Sequence, residues 1–175
     1  LSTLDHLTKG RISWNVVTGI LTSTARAMGV EPVPHDRRYD IADGYMDLVY
    51  KLWEGSWADD AALRDKMSRV FTDPGGVRKI AHDGHYRCEG YHLCEPSPQR
   101  TPFIYSAGSS RRGSAFAGRH AEAAFTAAND KRSAKRIVDG YRKAAEDAGR
   151  PADSVKIFNA TTVIVAPTEA ETLFR

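Results

Sequence analysis

Apolar residues recur along this chain in two rhythms, and the alternation between those rhythms predicts its elements. Residues 11–18 (RISWNVVT) are a short run rich in β-branched side chains between Gly10 and Gly19, which predicts a buried strand. Small and polar residues follow over 21–34. Ala42, Tyr45, Met46, Val49, Leu52 and Trp53 then keep three- and four-residue spacing, which predicts an amphipathic helix over 39–53. Residues 54–100 are less regular. They predict a short helix over 61–67, then a hairpin with strands at 77–82 and 85–89 joined by Asp83-Gly84, a two-residue turn signal.

The regular rhythm resumes at 102–107 (PFIYSA), an apolar strand, followed by a helix over 113–120 and a short strand over 121–127. A helix over 133–148 places Ile137, Tyr141, Ala144 and Ala148 on one face, with Gly149 as its cap. Residues 155–166 (VKIFNATTVIVA) form a long, nearly continuous apolar strand of the kind covered on both faces in parallel sheets.

Strand and helix therefore alternate, with one long interruption, which means βα units around a parallel sheet. The expectation is four parallel strands in one sheet, helices on one side, and the 54–100 insertion near the strands' C-terminal ends. A complete eight-unit barrel needs about 250 residues, so 175 residues with four units predict roughly half of one. The ends agree with that expectation. Leu1, Leu4 and Leu7 lead into Lys9-Gly10 as a helix C-terminus without its start, and Thr168 with Glu171 makes a capping box for a helix just beginning.

Composition adds little but excludes much. The chain is 41% hydrophobic and 27% charged, ordinary for a globular domain, and no apolar run is long enough to cross a bilayer. A cytoplasmic, non-membrane protein is expected. Two cysteines, Cys88 and Cys94, are too few for a disulfide scaffold. Net charge is +3 with scattered basic residues, so no nucleic-acid partner is expected.

Ligands of parallel α/β proteins gather at strand C-terminal ends. Three places here fit. Asn15 and Thr18 close the first strand and either face a pocket or cap the strand. Gly108-Ser109-Ser110-Arg111-Arg112-Gly113 lies between a strand and a helix, where glycine backbone, serine hydroxyls and N–H groups suit a phosphate. Serine also caps helices without any ligand, so both readings stand. His35 and Tyr39 share a helical face and suit one planar ligand, or else Asp36 caps the helix and Tyr39 packs. His82, His85, Cys88, His92 and Cys94 are crowded, but strand alternation separates His85 from Cys88, and no metal site is expected.

Taken together, these residues resemble the bacterial-luciferase-like reduced-FMN-dependent monooxygenases, in the branch of nitrilotriacetate monooxygenase component A and dibenzothiophene-sulfone monooxygenase. The resemblance runs through Leu4-Asp5-His6-Leu7, Gly10-Arg11 and Trp14-Asn15-Val16-Val17-Thr18. It continues through His35-Asp36-x-Arg38-Tyr39-Asp40, Ala42-Asp43, Leu52-Trp53, Phe71-x-Asp73-Pro74 and His82-x-Gly84. Pro96-Ser97-Pro98-Gln99, Ala107-Gly108-Ser109-Ser110, Phe116-Ala117 and Ala121-Glu122-Ala123 complete it over nearly the whole chain.

The resemblance implies fold class α/β: a partial (β/α)8 barrel, about strands four to seven, with an insertion after strand four and a single domain over 1–175. It implies reduced FMN, supplied by a separate NAD(P)H-dependent flavin reductase, that activates O2 to oxygenate a small organic substrate, in an enzyme that is a homo-oligomer when full length. His35 and Tyr39 would contact the flavin, Ser109 or Ser110 would hold its phosphate, and Asn15 and Thr18 would border the pocket. No catalytic base is implied. Ser106 stands where the family usually has glutamine, at a position with an expected role in flavin or substrate contact. A deazaflavin oxidoreductase and an inactive partial barrel are the alternatives. Expressed alone, a piece of this kind is expected to be poorly soluble and to bind FMN weakly or not at all.

Overall fold

The computed structural model describes residues 1–19, 21–163, 165 and 167–168. Its frame is a four-stranded, all-parallel sheet in the order β1 (Ser13–Val16), β4 (Phe103–Ser106), β5 (Ala123–Thr126), β6 (Lys156–Asn159). The helices α3 (His35–Gly55), α4 (Arg111–His120) and α5 (Lys131–Asp147) cover one face. Alternation along the strands sorts the side chains. Val16, Ile104 and Ala124 join Met46, Phe116 and Tyr141 in the core beneath the helices. Phe103, Phe125 and Phe158 point to the opposite face and are exposed, with Tyr105 and Phe125 stacked at 5.0 Å. The sheet is open among the described residues. One apolar face is covered and the other is not, as in a portion of a (β/α)8 barrel.

The four predicted strands and the single sheet are present, but the strands are shorter than their apolar runs. β6 ends at Asn159, whose side-chain amide takes over the strand-end hydrogen bonding. It accepts from Ala128 N at 2.7 Å and Thr126 Oγ1 at 3.0 Å, and donates to Ala128 O at 3.2 Å. Beyond Asn159, Ala160 N still donates to Thr126 O at 2.8 Å, residues 160–163 belong to no strand, and Ile164 and Ala166 lie outside the described residues. Glu171 of the expected capping box lies outside them too. α1 (Ser2–Thr8) ends where expected, but Lys9 takes the left-handed cap position at φ 56°, and Gly10 follows at φ 78° with its N–H on Asp5 O. α5 starts two residues before the predicted boundary because Asp130 caps it, accepting from Arg132 N and Ser133 N.

Several expectations fail for identifiable reasons. No helix forms over 61–67. Asp65 accepts instead from Met67 N, Ser68 N and Ser68 Oγ, and Arg64 and Arg69 sit at φ 51° and 59°, outside the helical region. The hairpin exists as β2 (Ile80–His82) and β3 (Cys88–Gly90), but His82 pairs with Cys88, so the turn is 83–87 and not Asp83-Gly84 alone. Tyr86 is drawn out of the ladder onto Tyr45, ring centroids 5.4 Å apart. A further short helix, α2 (Thr22–Ala27), lies within the small polar segment.

The insertion is also misplaced by the sequence reading. It leaves the C-terminus of α3 and returns to the start of β4, so most of it lies at the strands' N-terminal end. Gln99 Nε2 donates to Ile12 O just before β1, and Arg100 donates to Trp53 O at the end of α3. A helix running antiparallel to its strand delivers the chain there, and the insertion starts where the helix stops. Only the hairpin turn reaches back along α3 toward Tyr45.

Candidate functional site

The C-terminal end of the sheet collects the predicted site residues, and two local devices place those on α3 and α4. α3 begins at His35, four residues earlier than the apolar pattern predicts, because Pro34 holds an extended N-cap conformation. Asp36 therefore lies inside the first turn and does not cap the helix; it accepts from His35 Nδ1 at 2.6 Å. α4 is capped by Ser110, whose hydroxyl accepts from Gly113 N at 3.0 Å. The two devices meet where Ser110 Oγ lies 3.3 Å from His35 Nε2.

Below this contact the packing is tight. Tyr39 is buried, its ring 5.2 Å from that of His35 and 5.7 Å from that of Phe116. A Cβ on Gly108 would sit 2.3 Å from the Tyr39 hydroxyl, and one on Gly113 would sit 2.5 Å from Gly108 O. Both positions therefore demand glycine. Tyr141, fully buried on α5, donates to Gly108 O at 3.0 Å. Burial, with a smaller contribution from Tyr39, pushes the Tyr141 phenol up to about 12. The loop 107–110 is thus pinned from beneath, while Ser109 and Ser110 remain exposed. Ser114 N bonds back to Ser110 O, leaving the N–H groups of Arg111 and Arg112 in the first turn, ahead of the intrahelical ladder.

These donors fit a phosphate: two exposed serine hydroxyls, an imidazole and the N–H groups of a capped helix start. Asn15 is exposed on the uncovered face of the sheet, paired in register with Tyr105. With Thr18 it lines a cleft of about 660 Å³ whose other walls include Trp14, Ile41, Tyr45 and Tyr86. Neither residue touches the His35–Ser110 contact. Arg38 lines the cleft and donates from Nη1 to Gly19 O in the loop after β1. Ser106 is buried on the helix-facing side, paired with Val16, so it does not meet the cleft or the open face. The expectation of a pocket role for that position is not met.

The sequence reading missed the polar seam between α3 and α4. Arg112 Nη2 bonds Asp40 Oδ1 at 3.1 Å and also reaches Asp43 Oδ2. His120, 4% exposed, places Nε2 2.8 Å from Asp43 Oδ1 and receives the Tyr50 hydroxyl on Nδ1 at 3.1 Å. Burial pushes the Asp43 carboxyl up, but hydrogen bonds from His120 and Arg112 outweigh it and hold the group below the usual range. The spacing of Asp40 and Asp43, one helical face apart from the apolar one, was the available signal. Among the described residues no cluster of three acidic, histidine or cysteine side chains could hold a metal ion, and no helix is long and apolar enough to cross a membrane.

Residues 1–173 match the model of the luciferase-like monooxygenases. The chain belongs to that family. It is 53% identical over 171 residues to a dimethyl-sulfide monooxygenase of Hyphomicrobium sulfonivorans, covering 97% of this chain and 36% of that protein. It is 51% identical over 175 residues to a long-chain alkane monooxygenase of Geobacillus thermodenitrificans, covering 99% of this chain and 40% of that protein. The luciferase-like chain thus spans two fifths or less of the length of these relatives. A solved riboflavin lyase, with modified FMN and riboflavin bound, superposes with TM-score 0.89 at 46% identity over 99% of this chain and 39% of its own. The two proteins of the expected branch match as well. Dibenzothiophene-sulfone monooxygenase of Rhodococcus erythropolis is 40% identical and nitrilotriacetate monooxygenase component A of Aminobacter aminovorans is 35% identical. An FMNH2-dependent dimethylsulfone monooxygenase of Pseudomonas fluorescens is 33% identical.

Proposed function

We propose that this chain carries the phosphate-binding side of a monooxygenase that uses reduced FMN and O2 to oxygenate a small organic substrate. Ser109, Ser110 and His35 hold the flavin phosphate, Tyr39 supports them by packing its ring against His35 and beneath Gly108, and Asn15 and Thr18 border the ring system. The observation that carries this reading is the approach of His35 Nε2 to Ser110 Oγ, 3.3 Å apart at the open start of α4. The names of the relatives, one of them FMNH2-dependent, support the choice of reduced flavin. The phrase "component A" in another supports a separate NAD(P)H-dependent flavin reductase as partner.

When bound, reduced FMN supplies the oxygen-activating chemistry, and the protein's task is to hold it and to keep water away. The cleft beside β1, walled by Trp14, Ile41 and Tyr45 with Glu31 and Arg38 among its polar lining, suits a small organic substrate. A homo-oligomeric, cytoplasmic enzyme is the setting this reading expects. Titrating the full-length protein with FMN, riboflavin and a deazaflavin, followed by flavin absorbance, tests the proposal. FMN should bind more tightly than riboflavin. Equal affinity for the two would remove the phosphate site, and preference for the deazaflavin would replace the cofactor.

A further inference from the structure

The two halves of the proposed cradle come from different helices. His35 and Tyr39 belong to the first turns of α3, and Ser109 and Ser110 belong to the loop entering α4. The Ser110–His35 contact is exposed, and an exposed hydrogen bond competes with water and fixes little by itself. What sets the separation lies one turn deeper. Arg112 reaches from α4 to Asp40 and Asp43 on α3, and its guanidinium carbon lies 5.6 Å from the centre of the Tyr39 ring. Its side chain is 22% exposed. One cation here is shared by two carboxylates, so Arg112 is already compensated and has little charge left for an anion. Its planar fork, unlike a lysine's point charge, fixes orientation as well as distance.

We infer that Arg112 is a positioning residue for the flavin phosphate: it holds the α4 loop against the first turns of α3 at the spacing that His35 and Ser110 need. The inference rests on the flavin reading above. The same helix pair has a second tie, Arg119, which bonds Asp47 at 2.8 Å and only grazes Asp43 at 4.0 Å, farther from the loop and half-exposed on the arginine side. That tie is a natural control. Loss of Arg112 still leaves Asp43 held by His120 at 2.8 Å, so the helices keep a polar link.

The test compares FMN and riboflavin affinities for the full-length protein and for its Arg112→Met and Arg119→Met variants. Arg112→Met should raise the FMN Kd about tenfold while riboflavin changes by less than about twofold, and Arg119→Met should leave the ratio as in wild type. Asp40→Asn, at a half-exposed partner, should shift the ratio in the same direction by less, and it serves if Arg112→Met does not fold. Equal weakening of both flavins by Arg112→Met would make the residue merely structural and overturn the inference. So would an unchanged FMN Kd, or the same ratio change in Arg119→Met. Wild type that binds neither flavin would overturn the proposed function itself, whereas wild type that prefers FMN and a variant that keeps the preference overturn only the role of Arg112.

Discussion

The Nε2 atom of His35 lies 3.3 Å from the hydroxyl of Ser110, although 75 residues separate them in the chain. Two adjacent parallel βα units produce this meeting. The loops after β1 and β4 open on the same end of the sheet, and each helix starts beside the other. The Ser110 hydroxyl serves two purposes there, capping α4 and presenting an oxygen to the imidazole.

Ser110→Ala separates those purposes. Loss of the cap should cost about 1 kcal/mol of stability, read by urea denaturation. Loss of the donor should weaken FMN about tenfold and riboflavin hardly at all. An FMN affinity that survives the substitution would remove Ser110 from the phosphate site while leaving its capping role intact.

Gly108 and Gly113 respond differently to a methyl group. Gly108→Ala places its Cβ against the Tyr39 hydroxyl, and overpacking of this kind costs about 1–3 kcal/mol. Adding Tyr39→Phe removes that oxygen, and the next atom of the ring is 3.3 Å away, so the double variant should recover part of the loss. Gly113→Ala meets the backbone of Gly108 at 2.5 Å, which no side-chain change relieves. Denaturant melts of the three variants check the order. A Gly113→Ala protein rescued by Tyr39→Phe would contradict the packing described.

Asp43 sets an acid limit. Its carboxyl is held below the ordinary value of 3.8, so its contribution is fully present above that value and is lost as pH falls through the lower folded one. Asp43→Asn should lower stability at pH 7 by about 2 kcal/mol and flatten the acid limb of the profile. Thermal melts between neutral and acid pH report both. An acid limb equally steep in the variant would assign the effect to other carboxylates.

Two of the seven tyrosines should titrate late. Burial pushes both Tyr50 and Tyr141 up to about 12, so their neutral forms stabilise the fold fully below 10 and lose that effect as pH rises toward 12. Phenolate absorbance during an alkaline titration should show a delayed component that coincides with unfolding. Tyr141→Phe should shrink it. A single transition near 10 for every tyrosine, with the fold intact, would show that neither phenol is buried.

Sequence alone determined the order of elements, because hydrophobic rhythm is a local property. Six-residue runs such as 102–107 must bury alternate side chains whatever surrounds them, and Ser110 must cap whatever helix follows it. Local chemistry also exposed the candidate residues His35, Tyr39, Ser109 and Ser110, each at an element boundary. Rhythm could not locate the ends of β6 or the hairpin turn, since Asn159 and Tyr86 stop pairing by bonding or packing with distant groups. Nor could it find the seam in which Arg112 faces Asp40 and Asp43. Those residues are 72 and 69 positions apart in the chain, and only the parallel packing of α3 on α4 makes them neighbours. Charge pairs of that kind depend on where two helices lie in space, and the pattern along either helix carries no record of the other.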